Sequence, residues 1–182
     1  MDSRNRGRLE TDCFAGVVAA MTQLRLQSND HPLPRPTHTT MKVTFKRLDP
    51  QVPAPRPAHE GDAAVDLQTR VDVVLEPGER ASVPTGLAVA IPQGHAGLVL
   101  PRSGHARRSG IGVVNGPGLI DSGYRGEIEV LLINHGDRTV RFEVGERIAQ
   151  LAVVPVLGVV WEEVAELDET ARGAGGFGST GT

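Results

Sequence analysis

Short apolar runs alternate with Gly- and Pro-containing turns from residue 42 to residue 164. Helical periodicity is weak throughout this region, and only the residues after Ser103 predict a short capped helix. Regular spacing of short strands with such turns is typical of a sandwich or a barrel. The pattern therefore predicts an all-β domain. The predicted strands are KVTF (42–45), VDVVL (71–75), RASVPTGLAVAI (80–91), AGLVL (96–100), IGVV (111–114), EIEVLLIN (127–134), TVRFEV (139–144), RIAQLAVVPV (147–156) and VVWEEV (159–164).

Two of these runs, residues 131–133 and 151–156, are apolar on both strand faces. A strand with one solvated face is expected to alternate apolar and polar residues. Apolar residues on both faces therefore predict a second buried surface, which we expect to lie between subunits.

The two ends of the chain differ from this strand-rich region. Residues 1–40 include a polar, Pro-rich stretch that cannot build a core, and we interpret them as a disordered extension or an over-long start. Residues 41–164 are the predicted β-barrel domain. Residues 165–182 are the predicted C-terminal arm, whose Gly-rich end is expected to order only around a ligand.

Composition and charge narrow the function classes. The chain has 182 residues with 19 Lys+Arg against 22 Asp+Glu, a net charge of −3, so it lacks the basic field that nucleic-acid binding requires. No apolar run approaches the roughly 20 residues of a membrane span. The single cysteine, Cys13, cannot form an intrachain disulfide, which favours a cytoplasmic location; no role is assigned to it.

Aromatic side chains are scarce: 4 Phe, 1 Trp and 1 Tyr. The core must therefore consist mainly of Val, Leu, Ile and Ala. Aromatics this scarce leave any singly placed Tyr or Phe open to a specific use, and Phe45, Phe142 and Trp161 are expected to pack in the fold.

Two charged patches, one acidic and one basic, lie near predicted strands. Asp62 and Asp66 are four residues apart, so a regular strand would present both carboxylates on one face, although for two isolated aspartates a solvated strand edge is the favoured explanation. Arg102 and Ser103 lie where a strand meets a possible helix N-terminus, a position suited to phosphate. The alternative for Ser103 is an ordinary helix N-cap.

The densest segment is VVNGPGLIDSGYRGEI, residues 113–128. Asn115 to Gly118 predict a tight hairpin whose backbone groups could pair with a planar ligand edge. Asp121 follows directly and could orient a water for attack. The alternative, a hairpin with an Asp-initiated turn, leaves the only tyrosine, Tyr124, unexplained.

Two further segments carry polar groups. Gln150 interrupts the apolar run of residues 147–151, where a buried amide either bridges strands or contacts a ligand. Residues 172–181, RGAGGFGSTG, have no Lys and no predicted following helix, so they are not a Walker A loop. Their backbone could still form an anion nest, and the alternative is a flexible tail.

Taken in order and spacing, these five segments resemble the five motifs of the trimeric all-β deoxyuridine triphosphate nucleotidohydrolases, the dUTPases. The resemblance covers residues 42–182 and is carried most specifically by PRSG, NGPGLIDSGYRGEI and RGAGGFGSTG. It implies a jelly-roll-like β-barrel that forms a homotrimer with active sites at subunit interfaces and a C-terminal arm that reaches a neighbouring subunit. The implied activity is a dUTP diphosphatase, which hydrolyses dUTP to dUMP and pyrophosphate, keeps uracil out of DNA and supplies dUMP for thymidylate synthesis.

The resemblance also implies roles for individual residues. Asp121 orients the attacking water, and Asp66 acts through water on a Mg²⁺ ion chelated mainly by the triphosphate. Tyr124 packs under the deoxyribose, and Phe177 of the arm closes over the uracil. Arg172 is expected to contact the γ-phosphate. The remaining implied substrate contacts are Asn115, Gly118, Leu119 and Ile120 for the uracil edge, and Arg102, Ser103, Gly104, Gln150, Ser179 and Thr180 for the phosphates.

Two other functions stay open. A dCTP deaminase has the same fold but requires a catalytic glutamate ten residues after the aspartate, where this chain has Leu131. A non-catalytic dUTP-binding module would bind the nucleotide without turnover. Glu129 occupies a position that varies in the family, and no role is assigned to it.

Overall fold

The computed structural model describes residues 40–176, and within this range the chain is built from eleven short strands and one helix. The elements are β1 (Thr44–Arg47), β2 (Ala64–Gln68), β3 (Val73–Leu75), β4 (Arg80–Pro84), β5 (Leu87–Ala90), β6 (His95–Pro101), α1 (Ser103–Ser109), β7 (Ile111–Val113), β8 (Gly118–Ile120), β9 (Glu129–Asn134), β10 (Val140–Phe142) and β11 (Arg147–Pro155). The prediction of an all-β domain with one short helix is confirmed. No helix of the described residues is long and apolar enough to cross a membrane.

The strands form four small antiparallel sheets. The largest has the order β2-β11-β6-β8, a second has the order β4-β9-β7, and β1-β5 and β10-β3 are two-stranded pairs. Strands that follow one another in sequence mostly pair with strands from elsewhere, so the chain crosses repeatedly between sheets. This connectivity is that of a closed β-structure rather than a meander.

The core between these sheets is aliphatic, as the composition predicts. Leu67, Leu75, Val130 and Leu132 are completely buried, and Phe142 is the aromatic side chain that joins them. The expectation that Phe45 and Trp161 pack in the fold is wrong for the single chain. Phe45 is 43% exposed and Trp161 is 91% exposed.

Glycine explains why the predicted run of residues 80–91 is two strands. Gly86 lies between β4 and β5 with a φ of +70°, a region that side chains disfavour. A Cβ at this position would also approach Val52 Cγ2 to 2.6 Å. The backbone therefore bends at Gly86 and ends the first strand.

The predicted strand over residues 159–164 is absent from the structure. This segment follows β11 without regular secondary structure, and Leu157, Val160 and Trp161 are almost fully exposed. The apolar pattern of this segment did not reveal that no strand among residues 40–176 pairs with it. Strand β9 has the expected apolar residues on both faces, but Leu131 on its outer face is 38% exposed within the chain.

Candidate active site

Asp66 is the centre of a charged cluster at one end of the largest sheet. The Asp66 side chain is 16% exposed, and its Oδ1 accepts a hydrogen bond from Arg102 Nε at 2.9 Å. Its Oδ2 accepts a longer one, 3.4 Å, from Arg147 Nη1. Arg102 follows the end of β6, and Arg147 begins β11. The ends of β6 and β11 therefore hold two cations around one carboxylate in the middle of β2.

Gln150 belongs to the same cluster. It lies directly opposite Asp66 in the β11–β2 pairing and opposite Leu100 in the β11–β6 pairing. Directly opposed residues of neighbouring strands point to the same face of the sheet. The structure thus brings Gln150 and Asp66 together, as the phosphate-binding prediction requires.

Asp62 does not share this position. Strand β2 starts at Ala64, so the expected pairing of Asp62 and Asp66 on one strand face is wrong. Asp62 instead lies in an exposed turn, where its Oδ2 accepts a hydrogen bond from the His59 N–H at 2.8 Å. The turn competes with strand geometry because an aspartate side chain bonds readily to a nearby backbone N–H.

Helix α1 begins directly beside the cluster. Arg102, with an extended backbone, is the N-cap residue, and Ser103 and Gly104 are the first two helical residues. The alternative of Ser103 as an N-cap is therefore wrong, and no side chain caps this end. The helix ends at Gly110, which adopts the left-handed conformation that commonly terminates helices.

Two residues of this cluster escaped the sequence analysis. Arg147 was part of a predicted strand but received no role, although it pairs with Asp66. His105 Nε2 lies 2.8 Å from the Arg147 carbonyl oxygen, and its ring meets Phe142 edge-on. The position of Arg147 at the start of the RIAQL strand, close in sequence to Gln150, could have indicated its role. A histidine within a short helix gives no comparable signal.

A second group of candidate residues surrounds a cavity of about 300 Å³ beside strand β8. The cavity lies between β8, the turn after it and the outer face of β9. Its lining consists of Ser82, Val99, Asn115, Gly118, Leu119, Ile120, Asp121, Tyr124, Glu127, Ile128, Glu129 and Leu131. All six residues that the motif analysis selected from residues 115–124 line this one space.

The turn at Asn115–Gly118 is not the predicted hairpin. Strand β7 before it pairs with β9, and strand β8 after it pairs with β6. The turn, which includes a cis Gly116–Pro117 peptide, therefore carries the chain from one sheet to another. A Cβ at Gly118 would lie 3.3 Å from Asn115 Nδ2, so the glycine lets the Asn115 amide lie close to the backbone.

Tyr124 is held at the rim of the cavity by its own turn. Its N–H donates to the Asp121 carbonyl at 3.1 Å, and its hydroxyl donates to the Glu127 carbonyl at 2.8 Å. A Cβ at Gly126 would approach Tyr124 Cζ to 2.6 Å, so only glycine leaves room for the ring there. Tyr124 is 46% exposed, which leaves much of the ring free for a ligand.

Glu127 links this turn to the neighbouring loop. Its carboxylate accepts two hydrogen bonds from Arg70, at 2.8 and 3.0 Å, and one from the Gly86 N–H at 2.7 Å. The hydrogen bond from Arg70, aided by the Gly86 N–H and the arginine charge, lowers the pKa of Glu127 although burial opposes this. The same pair raises the pKa of Arg70. The sequence analysis missed both residues.

Glu129 and Leu131 point from β9 into the same cavity. Ser82 donates its hydroxyl hydrogen to the Glu129 carboxylate, so this acid is engaged by a neighbouring strand. Leu131 lines the cavity at the position where a deaminase would need its glutamate.

The charged cluster and the cavity are far apart within one chain. Ile120 pairs with Gly97, so Asp121 comes opposite Ala96 at the start of β6. Arg102 follows the other end of β6, and the extended chain between Ala96 and Arg102 spans about 20 Å. This separation exceeds the distance from the sugar to the last phosphate of one nucleoside triphosphate. Within one chain, the backbones of Asp121 and Arg102 therefore lie near opposite ends of β6.

The C-terminal arm is described only as far as residue 176. Arg172 is exposed, and its Nε donates to the Gly175 carbonyl at 2.9 Å within its own turn. The predicted contacts of Phe177, Ser179 and Thr180 lie outside the described residues.

Comparison with known proteins agrees with these motifs. A protein-family model described as dUTPase matches residues 50–181. The chain belongs to the dUTPase family. A deoxyuridine 5'-triphosphate nucleotidohydrolase of Thermobifida fusca is 55% identical over 147 residues, which cover 80% of this chain and 82% of that protein. The corresponding protein of Nocardia farcinica is 58% identical over 140 residues, covering 76% and 85% of the two chains.

Solved dUTPase structures share the fold. The dUTPase of Staphylococcus bacteriophage 80alpha with dUpNHpp is 32% identical, with a TM-score of 0.72 over 79% of this chain and 100% of that chain. A dUTPase from phage phi11 of S. aureus, reported with a structural Mg(II) ion, is 26% identical with a TM-score of 0.65 over 71% of this chain and all of that one. The predicted all-β jelly-roll fold of the dUTPase type is confirmed.

The described residues fit a metal ion that receives few of its ligands from protein side chains. No three His, Cys, Asp or Glu side chains of residues 40–176 converge to hold an ion. Each oxygen of Asp66 already accepts a hydrogen bond from an arginine. Such a carboxylate fits an ion that is bound mainly by phosphate oxygens and waters, which Mg²⁺ accepts readily.

Proposed function

We propose that this dUTPase family member hydrolyses dUTP to dUMP and pyrophosphate, and thereby keeps uracil out of DNA and supplies dUMP for thymidylate synthesis. The observation that carries the proposal is the cavity beside β8, where Asn115, Asp121 and Tyr124 face one space of about 300 Å³. An amide, a carboxylate and an aromatic ring are the groups that a pyrimidine edge, an attacking water and a sugar require.

In the proposed reaction, Asp121 accepts a hydrogen bond from a water and orients it toward the α-phosphorus. The water oxygen bonds to that phosphorus as its proton passes to Asp121, the bond from the phosphorus to the bridging oxygen breaks, and pyrophosphate leaves with the electron pair of that bond. Phosphoryl transfer of this kind needs alignment and charge neutralisation rather than covalent catalysis. An exposed carboxylate at the mouth of a cavity suits that task.

The specificity of the cavity follows from its shape and hydrogen-bonding groups. We assign the uracil edge to Asn115 and the backbone of Gly118, Leu119 and Ile120, and the deoxyribose to Tyr124. A site built to hydrogen-bond one base edge rejects the wrong edge by about 10⁴-fold or more. Cytosine presents the opposite hydrogen-bonding polarity at two positions, N3 and the substituent on C4, and is therefore refused.

The phosphates are assigned to the charged cluster at the end of β6. Arg102, Gln150 and the start of α1 at Ser103 and Gly104 supply cations and hydrogen-bond donors there. Asp66 would contact a triphosphate-bound Mg²⁺ ion through water. When bound, that ion neutralises charge on the phosphates as the leaving group forms.

We further propose that the active site is shared between subunits of a homotrimer. The backbones of Asp121 and Arg102 lie about 20 Å apart along β6, a spacing that favours completion of each site by a second chain. The exposed apolar residues Leu131, Leu157 and Trp161 supply surface that such contacts would cover. The arm, with Arg172, Phe177, Ser179 and Thr180, would close the site from a neighbouring subunit. Deleting residues 172–182 should then keep the trimer and strongly reduce turnover, whereas conversion to monomers would contradict the proposal.

The test of the function is pyrophosphate release from dUTP, dCTP, dTTP and UTP, with and without Mg²⁺. We expect turnover of dUTP alone at low enzyme concentration. Asp121→Asn should abolish release while dUTP still binds, and Asp137→Asn, an exposed surface change, should have no effect. Ammonia release from dCTP would favour a deaminase. Binding of dUTP by the unchanged protein without turnover would favour a non-catalytic module.

A further inference from the structure

Arg70 and Glu127 form an ion pair behind the proposed sugar site, and the motif assignments give neither residue a role. Their side chains meet in two parallel hydrogen bonds of 2.8 and 3.0 Å, although 57 residues separate them in sequence. The Glu127 side chain is 17% exposed, and the Arg70 side chain is 37% exposed. Two parallel bonds fix the orientation of a carboxylate more firmly than one.

The pair is anchored on both sides by main-chain contacts. The Arg70 N–H donates to the Pro84 carbonyl at 3.1 Å, and the Gly86 N–H donates to Glu127 Oε1 at 2.7 Å. Next to Glu127, the Ile128 N–H donates to the Leu87 carbonyl at 2.8 Å. The position of the Glu127 main chain is therefore tied to the loop between β4 and β5.

This anchoring extends to the tyrosine of the cavity. The Tyr124 hydroxyl donates to the Glu127 carbonyl, and the ring lies across Gly126 without room for a Cβ. Tyr124 thus takes its position from the main chain of Glu127. A shift of Glu127 would carry the ring with it.

We propose that Arg70 and Glu127 are a positioning pair that fixes Tyr124 and so sets discrimination between deoxyribose and ribose nucleotides. The proposal rests on the proposed function, in which Tyr124 packs under the sugar. Neither residue need touch the substrate for this role. The pair acts by preventing the small displacement of the Tyr124 ring that would make room for a 2′-hydroxyl.

The effect is expected to be selective because other substrate contacts come from other segments. Asn115 lies in the turn before β8, and Arg102 lies about 20 Å from Asp121 along β6. Loss of the pair should therefore alter sugar selection without altering base selection.

The experiment compares Arg70→Met, which keeps the side-chain length but removes the guanidinium, with Arg70→Lys and with Glu127→Gln. The kcat and KM values for dUTP, UTP and dCTP are measured for each variant. We expect the dUTP-to-UTP ratio of kcat/KM to fall about tenfold in Arg70→Met. Arg70→Lys should give an intermediate ratio, because an ammonium keeps the charge but cannot make the paired fork contact.

The matched control is Asp137→Ala, which removes an ion pair with Arg138 whose side chains are about 90% exposed. It should leave the dUTP-to-UTP and dUTP-to-dCTP ratios of kcat/KM unchanged. Thermal unfolding of every variant checks that the proteins compared are folded, and Glu127→Gln, which keeps the acceptor for Gly86, replaces Arg70→Met if that variant is unfolded.

An unchanged dUTP-to-UTP ratio, or an equal loss of activity on all three nucleotides, would overturn the proposed positioning role. Failure of the unchanged protein to hydrolyse dUTP would instead overturn the proposed function. The second outcome is seen before any variant is compared.

Discussion

Arg102 donates its Nε hydrogen to Asp66 Oδ1 over 2.9 Å, and this ion pair joins the end of β6 to the middle of β2. Arg102, the cation proposed to bind phosphate, thus faces an acid. A triphosphate would compete with Asp66 for the guanidinium, and a Mg²⁺ ion would offset the charge of the acid. In the proposed site the pair would therefore couple phosphate binding to the metal.

Asp66→Asn tests that coupling. The change keeps the shape of the side chain and removes its charge, so we expect a loss of at least about tenfold in kcat/KM and a weaker dependence on Mg²⁺. Pyrophosphate release is measured at increasing Mg²⁺ concentration. Asp62→Asn is the matched control, because Asp62 lies in the exposed turn before β2 and should leave the Mg²⁺ dependence unchanged. Equal effects of the two changes would contradict the role of Asp66.

Gly126→Ala tests the packing of Tyr124. The added methyl group would lie 2.6 Å from Tyr124 Cζ, so the ring must move and turnover of dUTP should fall by about tenfold or more. Gly123→Ala adds the same group in the same turn where nothing lies within 4 Å, and should be much milder. Steady-state kinetics on dUTP checks both variants. If Gly123→Ala proved the more damaging, Tyr124 would not owe its position to the space at Gly126.

The Glu127 pKa predicts how the ion pair responds to acid. The hydrogen bond from Arg70 holds the pKa of Glu127 below its ordinary value of 4.5, so the folded state binds its proton less readily than the unfolded state. Stability from the pair is therefore present above about pH 4.5 and is lost as the pH falls through the folded pKa.

Urea unfolding of the unchanged protein and of Arg70→Met from pH 3 to pH 7 measures this effect. The difference in free energy of unfolding should be constant near neutral pH and should shrink toward the acid end. Asp137→Ala serves as the control and should show little difference at any pH. A difference that stayed constant at every pH, or shrank as the pH rose, would mean that Arg70 does not set the Glu127 pKa.

Local sequence patterns predicted many of the strands and the helix, but little of which strands pair with one another. Strand β11 was identified from its apolar run, and α1 from the residues after Ser103, because both depend on short-range preferences. The hairpin at Asn115–Gly118 was wrong because turn chemistry specifies a bend and not which strands pair across it. Strand β8 is three residues long and begins at the last residue of that predicted turn.

The candidate site shows the same limit. Asp66, Arg102 and Gln150 were named from separate segments, and their meeting follows from strand register, which no single segment encodes. Arg70 and Glu127 were missed because an ion pair across 57 residues leaves no local pattern. The separation of Asp121 from Arg102 likewise required the β6–β8 register.

That separation predicts activity in mixtures of two inactive proteins. Asp121→Asn and Arg102→Ala should each be inactive, but in a shared site their defects fall on different chains. A trimer with head-to-tail contacts would then form some sites from an intact Arg102 on one chain and an intact Asp121 on the next. Random assembly of equal amounts should restore about a quarter of the unchanged activity, since each half of a site is drawn independently.

The two proteins are unfolded together, refolded and assayed for pyrophosphate release. Each variant refolded alone is the first control, and the two refolded separately and then mixed are the second. The third control is a double variant carrying both changes, refolded with the unchanged protein. Each double-variant subunit contributes a defective Asp121 to one site and a defective Arg102 to the neighbouring site. No recovery in the co-refolded mixture, together with intact trimers by size, would mean that Asp121 and Arg102 of the same chain act on one nucleotide.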